Sequence, residues 1–156
     1  MASSQFDLVL ERIIDVAPQL VFDAWTKAEH VLKWFTPRPW KTVKCDNDLR
    51  PGGRFNVVMQ SPEGEEFPYD GCYLEVAEPH RLVWTSALGE GFRPIPASEG
   101  VPQFTCVLTF APHGTGTKYT ATVMHGSEAD AKAHGDMGFQ DGWGAALDQL
   151  VEAMTG

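Results

Sequence analysis

The sequence is poor in positive charge and contains no cluster of it. Its 156 residues carry 12 Lys and Arg against 21 Asp and Glu, which gives a formal net charge of −9. Arg50 and Arg54 stand close together, but Asp46 and Asp48 offset them. Because nucleic acids and anionic membrane surfaces are bound through clustered Lys and Arg, we expect neither as a partner.

Cysteine and long apolar runs are also scarce. The three cysteines are an odd number without a CxxC pair, so they predict neither a disulfide framework nor a zinc site. Cys45, Cys72 and Cys106 each alternate in phase with apolar neighbours, so we expect buried, reduced thiols. No segment approaches the roughly 18 apolar residues of a membrane-spanning helix, and the polar start lacks the apolar run of a signal peptide. These absences predict a cytoplasmic protein without membrane insertion.

The common catalytic motifs are missing as well. Residues 51–53 (PGG) lack the Lys and Ser/Thr of a phosphate-binding loop, and no Gly-x-Ser-x-Gly elbow occurs. Cysteines that belong to the core lack the accessible thiolate that nucleophilic catalysis requires. His125, His134 and a nearby carboxylate are of the residue types that bind metal ions, but their spacing matches no helical ligand pair. We therefore predict no metal ion and no cofactor.

The segments that are present follow the order of an α+β protein. Alternating apolar residues from Phe6 predict a first strand of about ten residues. Two short helices follow, one opened by Pro18 and one over residues 29–35. From Lys41 the period changes to two, which predicts six more strands joined by short turns, one of them at residues 49–53. An antiparallel sheet with helices on one face is the expected result, in one domain over residues 1–156.

The last amphipathic segment, residues 127–154, predicts a long final helix. Its apolar stripe recurs at steps of three and four residues, and Ser127 with Asp130 has the form of a capping box. Glycines at four positions within the segment disfavour a regular helix, so we expect a break near Gly135. The stripe consists of Phe139, Trp143, Leu147, Leu150 and Met154.

The predicted strands place one set of side chains opposite the final helix. We expect the two to enclose an apolar cavity if the sheet curves more than the helix can fill. Residues 87–103 are rich in Gly and Pro, and we expect this long loop to lie near the cavity mouth as a mobile lid. The predicted ligand-contacting residues are Phe55, Val57, Met59, Cys72, Leu74, Trp84, Phe92, Cys106, His125, Phe139 and Trp143.

Several short blocks, in this order, resemble those of a known family. They are residues 17–18 (AP), 21–25 (VFDAW), 49–55 (LRPGGRF), 81–85 (RLVWT), 116–117 (GT) and 142–143 (GW). These blocks are similar to those of the activator of Hsp90 ATPase homologue 1-like proteins, within the START-like (SRPBCC) helix-grip superfamily. The resemblance implies a curved seven-stranded antiparallel sheet wrapped around a long C-terminal helix. It also implies a pocket suited to hydrophobic small molecules.

Three functions remain open at this point. The first is non-covalent binding of a small hydrophobic or aromatic molecule. The second is an aromatase/cyclase-like enzyme, with His125 as the acid–base group and Arg93 or Tyr73 as a polar anchor. The third is a co-chaperone-like interaction module, which we favour least because the chain starts directly at the helix-grip segment. An exposed edge strand also makes a homodimer an expectation.

Overall fold

A seven-stranded antiparallel sheet is the main element of the computed structural model, which describes residues 6–98 and 101–155. Two further short strands, β6 and β7, form a separate hairpin. The strands are β1 (Asp7–Ile14), β2 (Lys41–Asn47), β3 (Arg54–Gln60), β4 (Glu66–Ala77), β5 (Arg81–Thr85), β6 (Leu88–Gly89), β7 (Arg93–Pro94), β8 (Phe104–His113) and β9 (Gly116–His125). The order across the sheet is β1-β9-β8-β5-β4-β3-β2, so the first and last strands pair and β1 and β2 are its edges.

Four helices pack on one face of this sheet. They are α1 (Pro18–Thr26), α2 (Ala28–Trp34), α3 (Glu128–Asp136) and α4 (Phe139–Thr155). The apolar stripe of α4 buries Phe139, Leu147 and Leu150 against the core. The predicted α+β helix-grip fold is therefore confirmed. None of the described helices combines the length and the apolar character needed to cross a membrane.

The break in the final helical segment lies at Gly138 rather than near Gly135. Gly138 has φ +92°, a conformation that side chains with a Cβ disfavour, and it separates α3 from α4. Gly135 is still helical, near the end of α3. At the start of α3, the Ser127 side chain accepts a 3.1 Å hydrogen bond from the amide of Asp130, which confirms the predicted cap.

The alternation predicted for β4 is wrong. Tyr73 pairs with Trp84 of β5, and side chains of directly opposite residues share a face. Tyr73 therefore faces the helices, whereas Cys72 is buried on the other face of the sheet. The register shifts between Tyr73 and Glu75, so Leu74 is the extra residue of a bulge and has no partner on β5. Beyond the bulge, Val76 packs against the core again.

Within the loop over residues 87–103, Gly91 and Phe92 pack on the β2–β3 turn, and none of the loop's described residues lines the cavity. The amide of Gly91 donates a 2.8 Å hydrogen bond to the carbonyl oxygen of Gly52. The ring of Phe92 lies directly over Gly52, where an added Cβ would be 2.8 Å from its Cε2 atom. Phe92 therefore does not line the cavity, contrary to prediction. Residues 99 and 100 of this loop lie outside the described residues, and its mobility stays a prediction.

Candidate functional site

A cavity of about 280 Å³ lies between the concave face of the sheet and the helices. Strands β3, β4, β5, β8 and β9 each contribute one side chain to it, and the α2–β2 loop and α4 close the opposite side. Most of its surface is apolar, and aromatic rings predominate. The lining residues are Trp25, Trp34, Phe35, Thr36, Pro37, Met59, Tyr69, Trp84, Phe104, Tyr119, His134, Met137, Gly138, Phe139, Gly142, Trp143, Ala146 and Leu147.

Four of the predicted site residues lie on the cavity surface: Met59, Trp84, Phe139 and Trp143. A second group lies in the buried core but does not reach the cavity, namely Phe55, Val57 and Cys106. The remaining four, Cys72, Leu74, Phe92 and His125, do not line the cavity either. Seven of the eleven predicted residues thus lie away from the cavity surface, and fourteen of the eighteen residues that line the cavity were not predicted.

The two short helices supply part of the surface that the prediction omitted. Trp25 and Trp34 are both nearly fully buried, and each also lines the cavity. Their rings meet edge to face with centroids 4.8 Å apart. On the sheet side, Trp84 contacts Phe104 edge to face at 5.4 Å. Interlocking rings of this kind hold a preformed, rigid apolar surface.

The α2–β2 loop is fixed to α4 by one buried amide side chain. Nε2 of Gln149 donates hydrogen bonds to the carbonyl oxygens of Trp34 at 2.9 Å and Thr36 at 3.0 Å. Its Oε1 accepts a 2.8 Å bond from the amide of Arg38. Thr36 itself has φ 84°, an uncommon conformation for a β-branched residue. Because Thr36 and Pro37 line the cavity, Gln149 fixes the position of that side of the site.

Two histidine side chains meet at the opposite side. Nε2 of His125, the last residue of β9, lies 2.9 Å from Nδ1 of His134 in α3. Nδ1 of His125 lies 2.8 Å from the carbonyl oxygen of Phe6. His134 reaches the cavity and His125 lies behind it, so the predicted position of His125 on the cavity surface is wrong. The two nitrogens bond to each other rather than converging on an ion, and the described residues contain no group of three metal-ligating side chains.

The electrostatic setting of His134 favours its neutral form. Burial, with a smaller effect from the neighbouring His125, lowers the pKa of His134 to about 4. The rings of Phe104 and Phe139 flank the imidazole with centroids 5.1 Å and 5.4 Å away. His134 is therefore uncharged at neutral pH and presents a polar atom in an otherwise apolar surface.

Three buried polar atoms of cavity-lining residues have no hydrogen-bond partner within the described part of the chain. They are Nε1 of Trp25, Nε1 of Trp84 and the hydroxyl of Tyr69. Burial raises the pKa of Tyr69 to about 12; Ser86 lies close enough to oppose this shift, but no well-oriented hydrogen bond joins the two side chains. These groups are donors at neutral pH, but their polar atoms are themselves buried, so the accessible polar group of the cavity surface that the structure shows is the His134 imidazole.

The polar anchors considered for an enzyme do not reach the cavity. Arg93 is exposed on β7, and the Tyr73 hydroxyl accepts a 3.1 Å hydrogen bond from Asn47 Nδ2. Neither residue lines the cavity. The combination of His125 with Arg93 or Tyr73 is therefore not assembled at one site.

Comparison with known proteins places the chain among relatives of the same fold. The family model described as "Activator of Hsp90 ATPase homolog 1-like protein" matches residues 15–155. The crystal structure of protein NE0264 from Nitrosomonas europaea is 44% identical, with a TM-score of 0.92, covering 98% of this chain and 96% of that one. Protein Ms6760 from Mycobacterium smegmatis is 25% identical, with a TM-score of 0.80 and coverage of 97% and 92%. Among curated proteins, none matches this chain.

Proposed function

Because this chain belongs to the family of activator of Hsp90 ATPase homologue 1-like proteins, with their helix-grip fold, we propose that it binds a small hydrophobic or aromatic molecule non-covalently. The binding site is the cavity between the sheet and α4. The observation that carries the proposal is a preformed cavity of about 280 Å³ whose surface is mainly aromatic.

The cavity volume limits the size of the ligand. A dry protein cavity of about 150 Å³ takes one benzene molecule, so about 280 Å³ suits one or two fused rings. Such a molecule, similar in size to a tryptophan side chain, has roughly 200 Å² of apolar surface. At about 25 cal/mol per Å², its burial contributes about 5 kcal/mol. If this contribution alone set the affinity, the dissociation constant would be about 0.2 mM.

The lining also favours binding over proton transfer. The site's one histidine has its pKa lowered to about 4, which makes it a poor base at neutral pH. Its Nδ1 is already engaged by His125. A group in this state orients a ligand more readily than it removes a proton from one.

A pair of variants on α4 tests whether the cavity is the binding site. Ala146 lines the cavity and Ala145 does not. Leucine at position 146 occupies part of the space, so Ala146→Leu should weaken the calorimetrically measured binding of 1-methylindole at least tenfold. Ala145→Leu, the matched control, should leave binding within twofold of the wild type. The proposal fails if the wild-type protein shows no saturable binding, or if Ala146→Leu binds as well as the wild type.

We also place the protein in the cytoplasm. All three cysteines are free in the structure, with Cys72 and Cys106 buried. Burial raises the pKa of Cys45 to about 11, with a smaller contribution from Asp46, so its thiol stays protonated and weakly reactive. Unpaired, unreactive thiols are typical of reducing compartments. Thiol labelling of protein from freshly lysed cells should give three reduced cysteines after denaturation, and a disulfide at any of them would contradict this localisation.

A further inference from the structure

The hydrogen bonds of the histidine pair determine where its protons lie. The carbonyl oxygen of Phe6 can only accept, so Nδ1 of His125 must be protonated and donate to it across 2.8 Å. In a neutral His125 the other nitrogen, Nε2, is then an acceptor. The proton in the 2.9 Å contact between the rings therefore belongs to Nδ1 of His134. It follows that Nε2 of a neutral His134 carries a lone pair and no proton.

That lone pair belongs to a side chain on the cavity surface. His134 lines the cavity, and within residues 6–98 and 101–155 no protein atom hydrogen-bonds to its Nε2. Phe104 and Phe139 flank the ring and offer no donor to it. The unpartnered donors of other cavity-lining residues, the indole N–H groups of Trp25 and Trp84 and the hydroxyl of Tyr69, make no hydrogen bond to it. His134 is half-buried, so water can satisfy this acceptor in the free protein, and a ligand that displaces the water must supply a donor to avoid a desolvation cost.

We propose that His134 Nε2 accepts a hydrogen bond from the ligand, so that the ligand is an aromatic molecule with a ring N–H or O–H donor. This inference rests on the proposed function and narrows its ligand class. The aromatic surface binds the ring system, and the bond to His134 fixes which end of the ligand lies against α3. The low pKa supports this role because a protonated His134 would be a donor instead.

Indole and 1-methylindole distinguish this hydrogen bond from apolar burial. The two differ by one methyl group, which removes the N–H donor and adds apolar surface. Burial alone therefore ranks 1-methylindole as the tighter ligand, whereas a bond to His134 ranks indole first. A neutral hydrogen bond of ordinary strength corresponds to roughly threefold to tenfold in the dissociation constant. We expect calorimetry of the wild-type protein to show indole as the tighter ligand, by less than that factor because burial of the extra methyl group favours 1-methylindole.

Two variants assign the preference to His134. His134→Phe keeps an aromatic ring and removes the acceptor, so the ratio of its two dissociation constants should lose the preference for indole, whatever the change in its affinity for 1-methylindole. His113→Phe, at the exposed end of β8, is the matched control and should keep the preference. If 1-methylindole binds the wild type at least as tightly as indole, the inference is overturned and the proposed function stands. If neither compound binds, both are overturned.

Imidazole nitrogen shifts provide a test that needs no variant. In long-range ¹H–¹⁵N spectra of the wild-type protein at neutral pH, His134 should appear as the neutral tautomer with the proton on Nδ1. Addition of indole should move the Nε2 resonance of His134 as a hydrogen bond forms, and 1-methylindole should move it much less. A proton on Nε2 of His134 in the free protein would overturn the inference.

Discussion

The side-chain amide of Gln149 in α4 donates a 2.9 Å hydrogen bond to the carbonyl oxygen of Trp34, the last residue of α2. The same amide group also bonds the backbone of Thr36 and Arg38. One side chain thus satisfies three backbone groups of a loop that regular secondary structure leaves unpaired. Because Gln149 is only 7% exposed, few water molecules can replace it.

Gln149→Leu should therefore destabilise the protein although leucine is apolar and of similar size. Leaving buried backbone groups without partners costs about 1–3 kcal/mol each, and partial access to water reduces the sum. We expect a loss of about 2–4 kcal/mol in the free energy of unfolding, measured by denaturant titration. Asp148→Ala, at the exposed neighbouring position, should stay within about 0.5 kcal/mol of the wild type. A Gln149→Leu protein as stable as that control would contradict the role assigned to the amide.

The β2–β3 turn gives a second prediction. Gly53 has no room for a side chain, because an added Cβ would overlap the carbonyl oxygen of Asp48. Gly64, in the β3–β4 turn, has φ +91° but open space around it. Gly64→Ala should thus cost only the conformational strain of about 1 kcal/mol.

Gly53→Ala should cost more than that, since the backbone of the turn must move. Thermal melting of both variants measures the difference. Equal melting temperatures would mean that the turn relaxes without cost.

Two tryptophans that line the cavity should differ in their contribution to stability. Trp25 is only 1% exposed, and Trp25→Ala should cost about 3–5 kcal/mol, as is typical of a fully buried tryptophan. Trp143, in the apolar stripe of the final helix, is only half-buried beside the cavity. Trp143→Ala should therefore cost less, about 1–3 kcal/mol. A Trp143→Ala protein less stable than Trp25→Ala would show that the helix depends on Trp143 more than its burial indicates.

The histidine pair makes stability depend on pH. The pKa of His134 falls from 6.5 to about 4 on folding, through burial first and His125 second. Between these two values the unfolded chain binds more protons than the folded one, so acidification from pH 6.5 towards pH 4 favours unfolding. His134→Gln removes this titration.

The stability of the wild type relative to His134→Gln should therefore fall as the pH is lowered through that range. Denaturant titrations at several pH values measure the difference in the free energy of unfolding between the two proteins. A difference that does not change with pH would contradict the lowered pKa.

The sequence predicted the fold well because alternation and turns are local properties. The strands around Phe55, Phe104 and Tyr119 and the cap at Ser127 follow from neighbours a few residues away. The bulge in β4 does not follow from neighbouring residues. The register shift at Leu74 depends on how β4 pairs with β5, and the sequence of β5 does not indicate it. The predicted alternation of β4 placed Cys72 on the concave face of the sheet, whereas the structure places Tyr73 there.

The cavity surface was harder to predict for the same reason. His125 and His134 are nine positions apart, and their contact depends on how α3 turns back after β9. The apolar sequence around Trp25 and Trp34 indicates that both side chains are buried. Burial alone does not distinguish the packed core from the cavity surface. His134 stood in an acidic, weakly amphipathic stretch, and only its place at the end of a helix next to β9 brings it to the site. Dimerisation through an exposed edge strand stays a prediction. A chaperone partner also stays a prediction.

The central claim, that the cavity binds a small aromatic molecule, is tested most directly by the indole N–H resonances of the five tryptophans. Trp25, Trp34, Trp84 and Trp143 line the cavity, whereas Trp40 lies outside it beside Phe67 and is an internal control. During titration with 1-methylindole, ¹H–¹⁵N spectra should show saturable shifts of cavity tryptophans with one dissociation constant and no shift of Trp40. Shifts confined to Trp40, or no shift at all, would contradict the claim.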